Sequence, residues 1–243
     1  MSQTIALSLF RFTSVRAQLW AFSQMGLSRP SLARLKDLQF FKMFGTGTGE
    51  GFTPVPNFGV YGLMTVWPNL EIAQQRIETA SIFARYRAQA EETCTLFLSA
   101  VSSRGAWDGE NPFAIDEALP RSPVAVLTRA TLRSSALRGF WSQVPDIEAR
   151  IRDEVKGPLL FKIGMGEVPW LQQVTFSIWT SEEEMVEFAY RSTAHREAIR
   201  NVRKGDWFRE ELYARFAVTG AEGAWEGIAL PSQLGLQPIR AFA

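Results

Sequence analysis

Runs in which apolar residues alternate with small or polar ones recur along the chain and predict eight β-strands. The strands of the first half span Ile5–Phe12, about Gln39–Phe44, Phe58–Trp67 and Thr93–Val101. Those of the second half span Val124–Leu132, Pro158–Ile163, Gln173–Trp179 and Glu211–Val218. Apolar residues at helical spacing predict helices over about Val15–Met25, Leu70–Glu92, Ser135–Asp153 and Glu182–Arg203. Asn69 and Ser181 have the side chains of N-cap residues.

The two halves repeat one another in the same order along the chain. Phe41-Lys42 recurs as Phe161-Lys162, Val66-Trp67 as Ile178-Trp179, and Gly-Ala-Trp-Asp-Gly at 105–109 as Gly-Ala-Trp-Glu-Gly at 223–227. Each half has the order β-α-β-β-α-β of a ferredoxin-like unit. We therefore expect an α+β fold in which tandem ferredoxin-like repeats form an α+β barrel of the dimeric α+β-barrel type. The expected divisions are a first repeat at 1–110, a linker at 111–122, a second repeat at 123–227 and a tail at 228–243.

The chain of 243 residues has one histidine and one cysteine, which excludes several kinds of site. Structural zinc needs about four Cys or His ligands and iron–sulfur clusters need several thiolates, so one chain supplies neither. Cys94 has no neighbouring base to lower its pKa, and we interpret it as an inert core residue. A net charge of +1 gives no general attraction to nucleic acid.

His195 lies on the apolar face of the last predicted helix. That face is formed by Met185, Phe188, Ser192, His195, Ala198, Ile199 and Val202. A histidine there is often a core residue that is hydrogen-bonded to a carbonyl. The functional alternative is an axial ligand of haem, because haem needs a single protein ligand. The first repeat has Phe83 at the matching position, so such a site would occur once per chain.

Polar residues near that helix could complete a haem site. Arg191 and Arg203 belong to an arginine cluster that could bind the propionates, although such clusters are more often a solvated face. Ser192 and Ile199 share the face of His195 and are assigned to cofactor binding with it. On strands, Arg129, Lys162 and Thr175 are the candidate catalytic residues. Either cation could meet a propionate or stand on the distal side of the iron, and a threonine hydroxyl could contact bound oxygen.

A glycine-rich loop and the many aromatic residues each allow a functional interpretation. The glycine-rich loop 45–51 lacks the spacing and the following helix of a phosphate loop, so we interpret it as an inserted loop that could act as a lid. The chain holds 18 Phe and 8 Trp, which either pack the core or line a channel for a lipid-like substrate. We expect the segment 40–44 to form a lip that faces the substrate or a membrane.

Several longer segments resemble the spheroidene monooxygenases of carotenoid biosynthesis. They are Leu7–Phe12, Lys42–Gly49, Gly51–Pro54, Leu127–Thr131, Gly164–Pro169, Gln173–Trp179 and Asp206–Phe216. The resemblance implies oxygen insertion at the end of an acyclic carotenoid, of the type that converts spheroidene to spheroidenone. It also implies b-type haem and an external electron donor such as a ferredoxin. The family's Ala-His pair matches Ala194-His195, so the role of iron ligand is carried to His195.

Two other functions remain open from the residues. One is a haem-dependent dehydratase or peroxidase-like enzyme acting on another apolar substrate. The other is a barrel that binds a hydrophobic ligand without catalysis. No apolar run approaches the roughly 18 residues of a transmembrane helix, so we expect a cytoplasmic protein with at most peripheral membrane contact. Its expected partners are the carotenoid and an electron-transfer protein, and a homodimer would be ordinary for such a barrel.

Overall fold

Eight antiparallel strands close into one barrel with the order β1-β3-β2-β6-β7-β5-β8-β4. The computed structural model describes residues 2–49, 53–119, 123–142, 144, 159–191, 205–226 and 234. The strands are β1 (Thr4–Arg11), β2 (Phe40–Gly47), β3 (Pro56–Trp67), β4 (Glu92–Gly105), β5 (Val124–Leu132), β6 (Leu159–Gly166), β7 (Gln172–Trp179) and β8 (Phe208–Gly223). All of the strands predicted from alternation are confirmed, and several are longer than predicted.

The helices of the described residues lie outside the barrel. They are α1 (Val15–Leu27), α2 (Arg29–Ala33), α3 (Leu70–Thr79), α4 (Ser81–Gln89) and α5 (Glu182–Arg191). A 3-10 turn, Ser134–Ala136, leads into helical residues 137–142. The rest of the helix predicted over Ser135–Asp153 lies outside the described residues, apart from Val144, as does the part of Glu182–Arg203 beyond Arg191.

The single helix predicted over Leu70–Glu92 is wrong in one respect. It is two helices, because Ala80 adopts extended backbone (φ −72°, ψ 131°) and interrupts the ladder of hydrogen bonds. Apolar spacing continues across the break, so periodicity alone does not reveal it. The predicted caps are present: Asn69 Oδ1 accepts from the Ile72 amide at 2.9 Å, and Ser181 Oγ accepts from the Glu184 amide at 3.3 Å.

The strands of the first repeat are buried on both faces. Alternate residues such as Leu7 and Phe44 fill the interior of the barrel. The residues between them pack under α1, α3 and α4, where Phe10 and Tyr86 have ring centroids 4.9 Å apart. The prediction that residues 40–44 form an exposed lip is therefore wrong. Met43 and Phe44 are 2% and 0% exposed, one on each face of β2.

The barrel is least regular where β2 meets β6. The described pairing there places Gly45 opposite Gly166 and Thr46 opposite Met165, and the strands separate beyond it. A cavity of about 720 Å³ occupies the opening. Its lining includes Val60, Leu160, Phe161, Ile163 and Trp225, which also belong to or pack against the barrel interior, together with Arg11 and Lys162.

Candidate functional site

The outer face of the second repeat differs from that of the first in the size of its side chains. The pair Thr4–Trp67 in the first repeat is equivalent to Val124–Trp179 in the second. Six residues further along β1, Phe10 lies opposite Tyr61. Six residues further along β5, Ala130 lies opposite Gln173. At the next outward-facing pair toward the tryptophans, the first repeat has Leu63 opposite Ser8, and the second has Thr175 opposite Thr128. Large rings are therefore replaced by small or polar groups on the second face.

Helix α5 packs at one end of this face. Trp179 stacks on Phe188 with ring centroids 5.0 Å apart, and Met185 packs beside them. The Trp179 indole donates to Ser177 Oγ at 2.9 Å, as Trp67 donates to Thr65 Oγ1 at 2.9 Å in the first repeat. The internal repeat of the two Val/Ile-Trp segments is thus confirmed in detail.

Two of the three candidate catalytic residues share this outer face. Thr175 alternates along β7 with Val174 and Phe176, which are fully buried in the barrel interior, so Thr175 points outward. Lys162 lies opposite Ser177, another outward position, and is two residues along β6 from Gly164, which pairs with Thr175. Lys162 also lines the cavity between β2 and β6. A cation and a hydroxyl therefore share this face, and the cation also borders the cavity.

Arg129 lies on the opposite face of the sheet from Thr175 and Lys162. It follows Ala125 and Leu127 in the inward phase of β5 and is 0% exposed. The structure therefore does not bring the three candidate catalytic residues together. A guanidinium in the interior needs carboxylate partners, and Arg129 has them.

Those partners form a charge network at one end of the barrel, in which the side chains of Arg129, Lys42 and Glu167 are buried and that of Asp108 is exposed. Arg129 Nη1 donates to Glu210, and Lys42 Nζ pairs with Asp108 and, at 3.0 Å, with Glu167. Glu167 Oε1 also accepts from the Trp107 indole at 2.6 Å. Among the described residues, Arg129 Nε and Nη2 have no hydrogen-bond partner, and the nearest carboxylates to them are 3.9 and 3.7 Å away.

The network changes the ionisation of Glu210. Partial burial acts to raise the pKa of this carboxyl. The backbone amides of Gly109 and Asp108 oppose this by donating hydrogen bonds to it, and Arg129 opposes it through a hydrogen bond and its positive charge. The net effect lowers the pKa of Glu210 below its ordinary value of 4.5. Glu210 is therefore held as a carboxylate, which balances part of the positive charge inside the barrel.

A second arginine and tryptophan pair lies at the other end. Arg11 lies 4.6 Å from the ring centre of Trp225, and Arg129 lies 5.6 Å from that of Trp107. Arg11 pairs with Glu92 at 2.9 Å and Glu226 at 3.4 Å. The repeated Gly-Ala-Trp-acid-Gly segment thus supplies an indole and a carboxylate to an arginine of the other repeat. Sequence analysis found the motif but assigned it no role.

The remaining predicted cofactor residues are not tested by the described geometry. His195, Ser192, Ile199 and Arg203 lie outside the described residues. Arg191 ends the described part of α5, and its side chain is not described. Their roles stay predictions. Phe83, which the repeat matched to His195, is 1% exposed and lies in the apolar cluster under α4.

The chain is similar to two spheroidene monooxygenases. It is 43% identical over 227 residues to spheroidene monooxygenase of Cereibacter sphaeroides, covering 93% of this chain and 69% of that protein. It is 44% identical over 225 residues to spheroidene monooxygenase of Rhodobacter capsulatus, covering 91% and 92%. The chain belongs to the spheroidene monooxygenase family. It is a monooxygenase, so the non-enzymatic alternative is excluded.

The fold has a relative among solved structures. An aldoxime dehydratase in complex with butyraldoxime superposes with a TM-score of 0.58 at 9% identity, covering 89% of this chain and 80% of that one. At this identity the likeness concerns the fold alone, and the predicted α+β barrel is confirmed. No family profile matches the chain.

Proposed function

We propose that the protein is a haem-dependent monooxygenase that oxidises the end of an acyclic carotenoid, as in the conversion of spheroidene to spheroidenone. The observation that carries the proposal is the 44% identity with a spheroidene monooxygenase over 91% of this chain and 92% of the relative. An electron-transfer protein of the ferredoxin type would supply the electrons that a monooxygenase needs to reduce the second oxygen atom to water.

His195 would bind the iron, with Ser192 and Ile199 against the ring and Arg191 and Arg203 on the propionates. The described face supports a flat group there, because Ala130, Gln173 and Thr175 stand where Phe10, Tyr61 and Leu63 fill the first repeat. Arginine guanidinium groups suit carboxylates such as propionates, with which they form paired hydrogen bonds. Haem, when bound, supplies a redox-active iron that activates dioxygen.

Thr175 and Lys162 would act on the distal side. The Thr175 Oγ1 hydroxyl can donate a hydrogen bond toward the oxygen that is transferred, and it faces away from the barrel interior. The Lys162 ammonium can stabilise negative charge that develops there, since it lies on the same face. Neither group needs to form a bond to the substrate.

The cavity of about 720 Å³ would hold the hydrocarbon end of the substrate. Its lining includes Leu160, Phe161 and Ile163, and it reaches Lys162. The apolar part of this lining can bind a polyene through the area that it buries. In this proposal Arg129 does not touch the substrate but stabilises the end of the barrel.

Isotope labelling tests the reaction. Purified protein reconstituted with haemin is supplied with reduced ferredoxin, an acyclic carotenoid in detergent, and 18O₂ in unlabelled water. We expect the hydroxylated product to carry 18O, and no product without dioxygen. A dehydrated product formed without dioxygen would contradict the proposal and favour the dehydratase alternative. Product oxygen taken entirely from water would also contradict the proposal.

Two variants test the distal side. Lys162→Met and Thr175→Val should each lower turnover by about tenfold to a hundredfold while leaving haemin binding in place. Arg85→Met removes an exposed cation on α4, which packs on the first repeat, and serves as the control. Full turnover by both site variants would contradict the distal assignment and leave the reaction itself untouched.

A further inference from the structure

Helix α1 packs Trp20 and Met25 toward the core but carries three other large apolar residues on the side that faces away from the protein. Its buried residues are Ala17, Ala21 and Gln24. On the opposite side, Val15, Leu19 and Phe22 are 72%, 65% and 58% exposed. These three recur at helical spacing and form one ridge. A surface helix of an isolated soluble protein has the reverse pattern, with large apolar residues inside.

The exposed ridge continues onto a neighbouring segment. Phe22 and Phe58 have ring centroids 5.8 Å apart, and Phe58 is 50% exposed. Val55 is 57% exposed, and the Trp170 indole donates to the carbonyl of Pro54 at 3.0 Å. We call the α1 patch the set of Val15, Leu19, Phe22, Val55, Phe58 and Trp170.

Trp170 is unusual in its backbone as well as its exposure. It is 52% exposed and has φ 63°, a left-handed conformation that bulky residues seldom adopt. A tryptophan with an apolar body and an indole N–H is suited to the boundary between water and lipid. Its conformation presents the ring at the surface beside the segment that contains Val55.

The charge around α1 has a single sign. Residues 12–36 contain Arg16, Arg29, Arg34 and Lys36 and no Asp or Glu. All four of these cations are exposed. The chain as a whole has a net charge of only +1, so this segment is more positive than the chain average, and the next residue, Asp37, is paired with Arg76.

We propose that the α1 patch docks on the surface of a membrane that contains anionic lipid. A helix with an apolar ridge and flanking cations lies in the interface, with its apolar side among the acyl chains and its cations at the headgroups. The charge favours lipid over a second copy of this chain, since two such patches would bring like charges together. The described residues contain no helix long and apolar enough to cross a bilayer, so the proposed contact is with one surface.

Vesicle flotation tests the docking with the purified chain of 243 residues. Vesicles of phosphatidylcholine are compared with vesicles that also contain about 30% phosphatidylglycerol. We expect the protein to float with the anionic vesicles, and about 0.5 M NaCl to weaken the binding by screening. The double variant Leu19→Ser/Phe22→Ser should bind at least about tenfold more weakly because it loses buried apolar area.

Matched variants separate the two contributions. Ile115→Ser removes an apolar residue that is 44% exposed outside the patch, and it should bind as the unchanged protein does. Arg16→Gln/Arg29→Gln/Arg34→Gln should lose the preference for anionic lipid. Each variant changes exposed side chains, so an unchanged melting temperature verifies that it is folded.

Three results would overturn the proposal. The first is failure of the unchanged protein to float with anionic vesicles. The second is equal flotation of Leu19→Ser/Phe22→Ser and the unchanged protein. The third is light scattering that finds the unchanged protein dimeric and the double variant monomeric, because a second copy would then cover the patch.

Discussion

The guanidinium of Arg129 lies 5.6 Å from the ring centre of Trp107, and the two residues come from different repeats. Arg11 and Trp225 form the reciprocal pair at 4.6 Å. Each tryptophan is followed by an acidic residue that pairs with the same arginine, at 3.7 Å for Asp108 and 3.4 Å for Glu226. The repeated motif thus joins the two halves at both ends of the barrel.

Loss of the buried arginine should destabilise the protein strongly. Arg129→Met leaves Glu210 without its guanidinium partner, while Glu167 keeps Lys42 at 3.0 Å, and breaking a buried pair costs about 3–5 kcal/mol. Arg11→Met is the matched control, since the Arg11 side chain is 29% exposed and partly solvated pairs contribute about 1 kcal/mol or less. Denaturant unfolding measures both free energies. Equal losses in the two variants would show that the network at Arg129 is not special.

Acid should weaken the contribution of Glu210. The pKa of this carboxyl is lower in the folded protein than its ordinary value of 4.5, so the folded state favours the charged form. Its stabilisation is therefore present above that value and is lost as the pH falls through the lower, folded pKa. The difference in unfolding free energy between the unchanged protein and Glu210→Gln should shrink as the pH is lowered from about 6 to 3.

Glu222 should show the opposite dependence. Burial raises its pKa above 4.5, with Glu78 adding to the effect and a hydrogen bond from Gln74 opposing it. The folded state favours the protonated carboxyl, so its contribution is present below the ordinary value and is lost as the pH rises through the folded pKa. Unfolding curves of Glu222→Gln over the same pH range check this. A parallel trend in the two variants would contradict one of the two assignments, and the direction of the trend would show which.

Cys94 should be unreactive in the folded protein. Burial, with a smaller contribution from the charge of Glu92, raises the pKa of its thiol to about 12. The thiolate that reacts is therefore nearly absent at pH 8, and the side chain is 1% exposed. Titration with a thiol reagent should give no reaction until denaturant is added. Rapid modification of the folded chain would show that this strand opens or that the thiol is accessible.

The strands were predictable because alternation is local, but the segment 40–44 shows where that reasoning ends. Its continuous apolar run resembled an exposed lip. In the barrel, Phe44 faces the interior and Met43 faces the helices, so both sides are covered. A continuous apolar run is what a strand buried on both faces requires.

The candidate site was predictable only in part, for a related reason. The identity of Thr175 and Lys162 came from the sequence, but the face that each occupies depends on register. The sequence pair Lys42 and Lys162 illustrates this: Lys42 lies within the charge network, whereas Lys162 lies opposite outward-facing Ser177. A register irregularity between Leu159 and Phe161 precedes Lys162. The partners of Arg129 could not be foreseen, because Trp107 and Glu210 are distant from it in sequence.

The visible absorption spectrum tests the central claim most directly. Purified protein is titrated with haemin beside the variant His195→Ala, with Cys94→Ala as the control. We predict a Soret band that saturates at about one haem per chain, is shifted and weakened in His195→Ala, and is restored there by added imidazole. Cys94→Ala should match the unchanged protein. A His195→Ala variant with the same band and the same affinity for haemin would contradict the account.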